Sequence, residues 1–110
     1  DKMAYTQGDI VIADDPFGSN PERPYLLISN NNTPFHGEEY IAAVITSTAR
    51  DAAVELTENR IRRGQLPQTS YISPWSILTL KHWMITKQPA EATTVTVSDV
   101  RQELNTYLRS

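Results

Sequence analysis

The chain has 110 residues, the usual size for one domain built around one core. It contains no cysteine, which excludes disulfides, thiolate zinc sites and a thiol nucleophile together. The net charge of −3 argues against bulk nucleic-acid affinity, but it is unevenly spread, with −6 over residues 1–55 and +3 over residues 56–110.

No stretch approaches the roughly 20 apolar residues that span a bilayer, and the N-terminus lacks an apolar signal region. With the missing cysteines this points to a cytoplasmic protein that is not membrane-bound. Asp1-Lys2-Met3 reads as the end of an acidic tag followed by an initiator Met3, leaving a single domain over residues 3–110.

Gly8-Asp9 precedes the first expected strand, Ile10 to Ala13. Asp14 to Glu22 follows as an acidic loop broken by Gly18 and two prolines. Arg23-Pro24 then opens a second strand, Tyr25 to Ser29, too continuously apolar for an exposed edge. After Asn30-Asn31-Asn32, Tyr40 to Thr48 is the strongest strand of the chain. Ala53 to Leu56, Thr69 to Ile72 and Ile77 to Leu80 suggest three more. Val97, Val100, Leu104 and Tyr107 or Leu108 then recur at helical spacing, with Ser98 as the expected N-cap and Asp99 placed for the helix dipole. Five or six short strands and one terminal amphipathic helix read as a small barrel or sandwich, mainly β, with the helix packed on it.

Several side chains invite chemistry. His36-Gly37-Glu38-Glu39 contains the His-x-Glu of a nucleobase deaminase, but the cysteines of that zinc site are missing. One imidazole and two carboxylates without an evident third neutral ligand do not make a metal centre, so no metal or cofactor is expected. His36 and His82 suit either an acid–base pair or structural roles. Arg60, Arg62 and Arg63 suit either a phosphate-binding surface or a solvated turn. Arg23 precedes a proline, so its backbone is biased to an extended form. Its guanidinium can fork onto phosphate oxygens or pair with Glu22, Asp14 or Asp15. Thr46, Ser47 and Thr48 end the central strand, where hydroxyls bind phosphate or close a turn.

These pieces combine. Gly8-Asp9-Ile10-Val11, a Gly-bearing loop, Arg23-Pro24-Tyr25-Leu26-Leu27-Ile28-Ser29 and Val44-Ile45-Thr46-Ser47 together resemble the MazF/PemK family. These are the endoribonuclease toxins of type II toxin–antitoxin pairs. The resemblance continues more weakly through Leu66 to Ser70, Thr79-Leu80 and the C-terminal helix. It implies an SH3-like barrel of the MazF/CcdB type, a homodimer, a cognate antitoxin partner and metal-independent cleavage of single-stranded mRNA. By the same resemblance Arg23 and Thr46 are the catalytic pair. The RNA's own 2′-hydroxyl is the nucleophile, leaving a cyclic phosphate and a 5′-hydroxyl.

Arg23 then stabilises the phosphorane-like dianion and is a candidate proton donor, while Thr46 holds the phosphate or orients the 2′-hydroxyl. Ser47, Ser70 and Thr79 are the expected substrate contacts, with Ser19 and the base-stacking Phe17 in the covering loop. Asn20 stands where the family has an acidic residue, and Thr69, Leu78 and Lys81 replace its usual charged residues. The cleavage sequence is therefore not carried over. The alternative is a non-catalytic binding module on the same barrel, or a CcdB-like toxin directed at gyrase. The latter is disfavoured because the chain finishes Tyr107-Leu108-Arg109-Ser110, without tryptophan.

Overall fold

The run Tyr25-Leu26-Leu27 is apolar at every position, which suits a strand covered on both faces. The fold places it so. The structure is a computed structural model that describes residues 4–15 and 21–110. Its strands are β1 (Asp9–Asp14), β2 (Glu22–Leu27), β3 (Glu39–Thr46), β4 (Val54–Glu55), β5 (Ile61–Gly64), β6 (Tyr71–Lys81) and β7 (Ile85–Ala92). They form one curled antiparallel sheet in the order β4-β6-β3-β2-β1-β7-β5. Helix α1 (Thr94–Leu108) packs against β6.

β2 lies between β1 and β3, so its successive side chains serve two separate cores. Leu26 joins Ile10, Ala43, Ile45, Ile72, Val97 and Val100. Tyr25 and Leu27 join Val11, Tyr40, Val44 and Leu80 on the other face. The expected mainly-β barrel with a terminal helix is present.

Four local expectations change. The two strands placed at 69–72 and 77–80 are one strand, β6, running through Pro74. The β3–β6 register shifts between Ala43 and Val44, whose partners are Ile77 and Ser73. That irregularity takes up Pro74, which has no N–H for a regular ladder. β5 and β7 were not expected, because one is rich in arginine and the other contains Pro89 and no alternating pattern. Pro89 also falls where a register shifts, between Ile10↔Ala90 and Ile12↔Lys87. β2 begins earlier than expected, so Arg23 and Pro24 lie inside the strand.

The fourth correction concerns the helix start. Its N-cap is Thr93, whose Oγ1 accepts from the Thr96 N–H at 3.1 Å, and not Ser98. Ser98 lies a turn inside the helix and accepts from the Gln102 side chain, while Asp99 pairs with Arg60 instead of facing the helix dipole. The β-branched Thr94-Val95-Thr96-Val97 segment reads as a strand, and only its docking recruits it into helix. Thr96 donates its hydroxyl to the Arg60 carbonyl, and the Thr93 N–H bonds the same carbonyl. Two hydrogen bonds thus fasten the helix start to the residue just before β5.

Two positions test this frame. Gly64 has φ +77° and its added Cβ would lie 2.0 Å from the Pro89 carbonyl oxygen, so Gly64→Ala meets both a left-handed backbone and an overlap. The first effect alone costs about 1–2 kcal/mol. Thermal unfolding should then show a drop in Tm of roughly 10 °C, at about 4–8 °C per kcal/mol for a small domain. Buried Asp9 accepts from the Thr6 N–H at 2.9 Å and the Gln88 amide at 3.0 Å. Asp9→Ala strands both donors and is expected to lower urea stability by about 2 kcal/mol with the m-value unchanged.

Candidate active site

The site is built where β2 begins and β3 ends. Tyr25 pairs with Val44 and Leu26 with Ala43, and the same antiparallel register carried two residues further sets Arg23 beside Thr46. Pro24 costs β2 nothing here, because the β2–β3 ladder starts only at Tyr25. The Arg23 guanidinium is tied down by the strand it faces, since Nη2 donates to the Ile45 carbonyl at 3.2 Å. Its Nη1 lies 4.0 Å from Asp15, whose side chain is wholly buried. The Arg23 side chain keeps 23% of its surface exposed, so the cation is anchored from below and open above.

Above it lies a cleft of about 430 Å³ lined by Arg23, Thr46, Ser47, Thr48, Gln68 and Ser70 among others. Thr46 Oγ1 accepts from the Thr48 N–H at 3.1 Å, closing the turn and leaving its own proton to donate. Ser70 is buried and donates to the Gln68 carbonyl at 2.9 Å. One cation and a ring of hydroxyl and amide groups, with Glu22 at the rim, can receive a phosphodiester.

Beneath the cleft, Tyr25 shares the face of Arg23. Burial first, and Asp15 next, push its phenol up to about 12, while Arg23 pulls it back. It therefore stays a neutral hydroxyl at any physiological pH.

Four of the expected site residues thus converge: Arg23, Thr46, Ser47 and Ser70. Thr79 does not join them. It is exposed on β6 opposite Ile41, five residues back along β3 from Thr46 and so roughly 16 Å away. Phe17, Ser19 and Asn20 lie outside the described residues. Thr48, named among the hydroxyls that end the central strand, joins the four in the cleft, whereas Gln68 and Tyr25 were missed. Tyr25 carried a usable signal, since a residue two places along a strand shares its neighbour's face. Gln68 carried none.

The two histidines do meet, but elsewhere. His82 Nδ1 is 2.8 Å from the Tyr40 hydroxyl, and the His36 ring stands edge-on to Tyr40 with centroids 5.5 Å apart. The Tyr5 N–H donates to that same hydroxyl at 3.1 Å. Tyr40 is the second residue of β3 and Thr46 the last, so this cluster sits roughly 20 Å from the cleft. Its hydrogen bonds brace a buried phenol, the structural role. Each arginine of the cluster has a carboxylate nearby: Arg60 pairs with Asp99 at 3.0 Å, and Arg62 and Arg63 share Glu91 at 4.0 and 3.6 Å. Among the described residues no group of three or more His, Asp or Glu is arranged to hold a metal ion.

No curated protein shows significant sequence similarity to the chain. Solved structures do resemble it. An endoribonuclease in complex with its cognate antitoxin, from a mycobacterial species, is 25% identical with a TM-score of 0.75, covering 96% of this chain and 95% of that one. A second mycobacterial endoribonuclease is 23% identical, with a TM-score of 0.73 and coverage of 96% and 91%. The MazE–MazF complex of Deinococcus radiodurans is 20% identical, with a TM-score of 0.73 and 97% of both chains covered. Residues 6–108 match the family described as PemK-like, MazF-like toxin of type II toxin-antitoxin system. With its register-built cleft and a family match over nearly its whole length, the chain belongs to the PemK-like, MazF-like toxins of type II toxin–antitoxin systems.

Proposed function

We propose that the protein is an endoribonuclease toxin that cleaves single-stranded mRNA in the Arg23–Thr46 cleft. The observation that carries this reading is the guanidinium of Arg23, fastened to the Ile45 carbonyl at 3.2 Å and open to a cleft edged by Thr46. The RNA 2′-hydroxyl attacks the adjacent phosphorus. A cyclic phosphate forms as the bond to the 5′-oxygen breaks, and the released strand carries a 5′-hydroxyl. Charge accumulates on the non-bridging oxygens during that step, and a preorganised cation matched to it lowers the barrier. Arg23 supplies the cation. A guanidinium is not deprotonated in a protein, so Arg23 is not the general base. Thr46 orients the 2′-hydroxyl or holds a phosphate oxygen, and Ser47 and Ser70 line the same path.

A cognate antitoxin is the expected inhibitor, because the mycobacterial and Deinococcus relatives are seen bound to theirs. An acidic segment of that antitoxin would compete with RNA for Arg23. We further propose a homodimer. Ile41 on β3 and Trp75 on β6, 40% and 43% exposed, offer apolar surface that a second copy would cover. A cytoplasmic site of action fits an mRNA substrate.

Purified protein should cut a long single-stranded RNA at defined sites with EDTA present. Arg23→Ala should slow the cut by at least ~100-fold, the usual cost of removing a group that stabilises developing charge. Uncut RNA with the wild type, or full cleavage by Arg23→Ala, would overturn the proposal. In cells, the wild type but not Thr46→Ala should arrest growth while fragmenting mRNA. Arrest with intact mRNA would indicate a binding toxin instead.

A further inference from the structure

Two buried polar atoms under the cleft have no hydrogen-bond partner: the hydroxyl of Tyr25 and the Nε of Arg23. Tyr25 is wholly buried, and it belongs to the core of Val11, Ala13, Leu27 and Val44, where phenylalanine would serve as well. An orphaned buried hydroxyl is a cost the packing does not require. The two atoms are also complementary. Nε–H can only donate, and a phenol oxygen can accept while donating its own proton.

Their placement is not accidental. Arg23 and Tyr25 are two residues apart on β2 and so share a face of the sheet. Ala13 lies directly opposite Arg23, and Asp15, two residues on from Ala13, carries a wholly buried carboxylate close to Arg23 Nη1. The charges of Asp15 and Arg23 pull the Tyr25 phenol in opposite directions, Asp15 raising its pKa and Arg23 lowering it.

We propose that Tyr25 is a positioning residue for Arg23: its oxygen accepts the Arg23 Nε–H when a phosphate draws the guanidinium into register, and its proton is directed to the Asp15 carboxylate. The inference rests on the reading of Arg23 as the group that meets the scissile phosphate. A guanidinium has five N–H bonds. Nε–H would go to Tyr25, one Nη1 proton faces Asp15, and one Nη2 proton is held by Ile45. The remaining two, one on each Nη, form the edge that forks onto two phosphate oxygens. Tyr25 thus fixes the rotation of the fork without touching RNA.

Tyr25→Phe keeps the ring and removes only the hydroxyl. The expected result is about a 10-fold fall in kcat for RNA cleavage with KM within about 2-fold, since only a charge that develops in the transition state is missed. The Tm should not fall. A second readout needs no cleavage: exchange of the Arg23 Nε–H with solvent, followed by ¹⁵N–¹H NMR at saturating inorganic phosphate. It should be slow in the wild type and fast in Tyr25→Phe. Wild-type kcat in Tyr25→Phe beside an inactive Arg23→Ala overturns the role of Tyr25 while leaving the nuclease reading intact. Full cleavage by Arg23→Ala removes the nuclease reading and this inference with it. Should Tyr25→Phe fail to fold, the wild type decides, because an Nε–H that phosphate does not slow overturns the proposal.

Discussion

The alignment of β2 against β3 is the constraint on which the rest depends. Because side chains alternate, a slip of one residue would turn Arg23 to the opposite face and exchange the two cores. Tyr25 opposite Val44 and Leu26 opposite Ala43 hold that alignment through buried contacts on both faces. Arg23 then has no choice of neighbour. Its guanidinium meets the Ile45 carbonyl, and the open space beyond it belongs to Thr46 and Ser47. A flexible cation on a loop would lose side-chain entropy each time it met a phosphate. Here most of that cost is met on folding.

Two groups of buried polar atoms flank the ends of β3. At the Tyr40 end, the phenol accepts from Tyr5 and meets His82, while the buried Nδ1 of His36 has no partner. At the Thr46 end, Arg23 Nε and the Tyr25 hydroxyl are left open around a buried carboxylate. What distinguishes the Thr46 end is the accessible cleft beside the open donor and acceptor.

The departures from a regular sheet have a consistent cause. Pro74 and Pro89 each sit where a strand register shifts, and Gly64 takes a left-handed backbone where its chain runs against the Pro89 carbonyl. These breaks curl the sheet. They also account for the unexpected strands. β7 is held by β1 on one side and β5 on the other, and its own side chains show no alternation to announce it.

The sequence by itself determined a mainly-β single core with a terminal helix, because β-branched runs, turn residues and a 3.6-residue apolar repeat are local properties. It also placed Arg23-Pro24 near the start of one strand and Thr46 near the end of another, though Arg23 and Pro24 lie inside β2. The tertiary structure decided the rest. It chose Thr93 over Ser98 as helix cap, since the Arg60 carbonyl that anchors the helix start is 33 residues away in the chain. It kept Thr79 out of the cleft and sent both histidines to Tyr40, because pairing distance along β3, not spacing in the chain, sets who meets whom. And it brought Tyr25 to the face of Arg23, where an apolar run conceals a hydroxyl that the packing leaves without a hydrogen-bond partner.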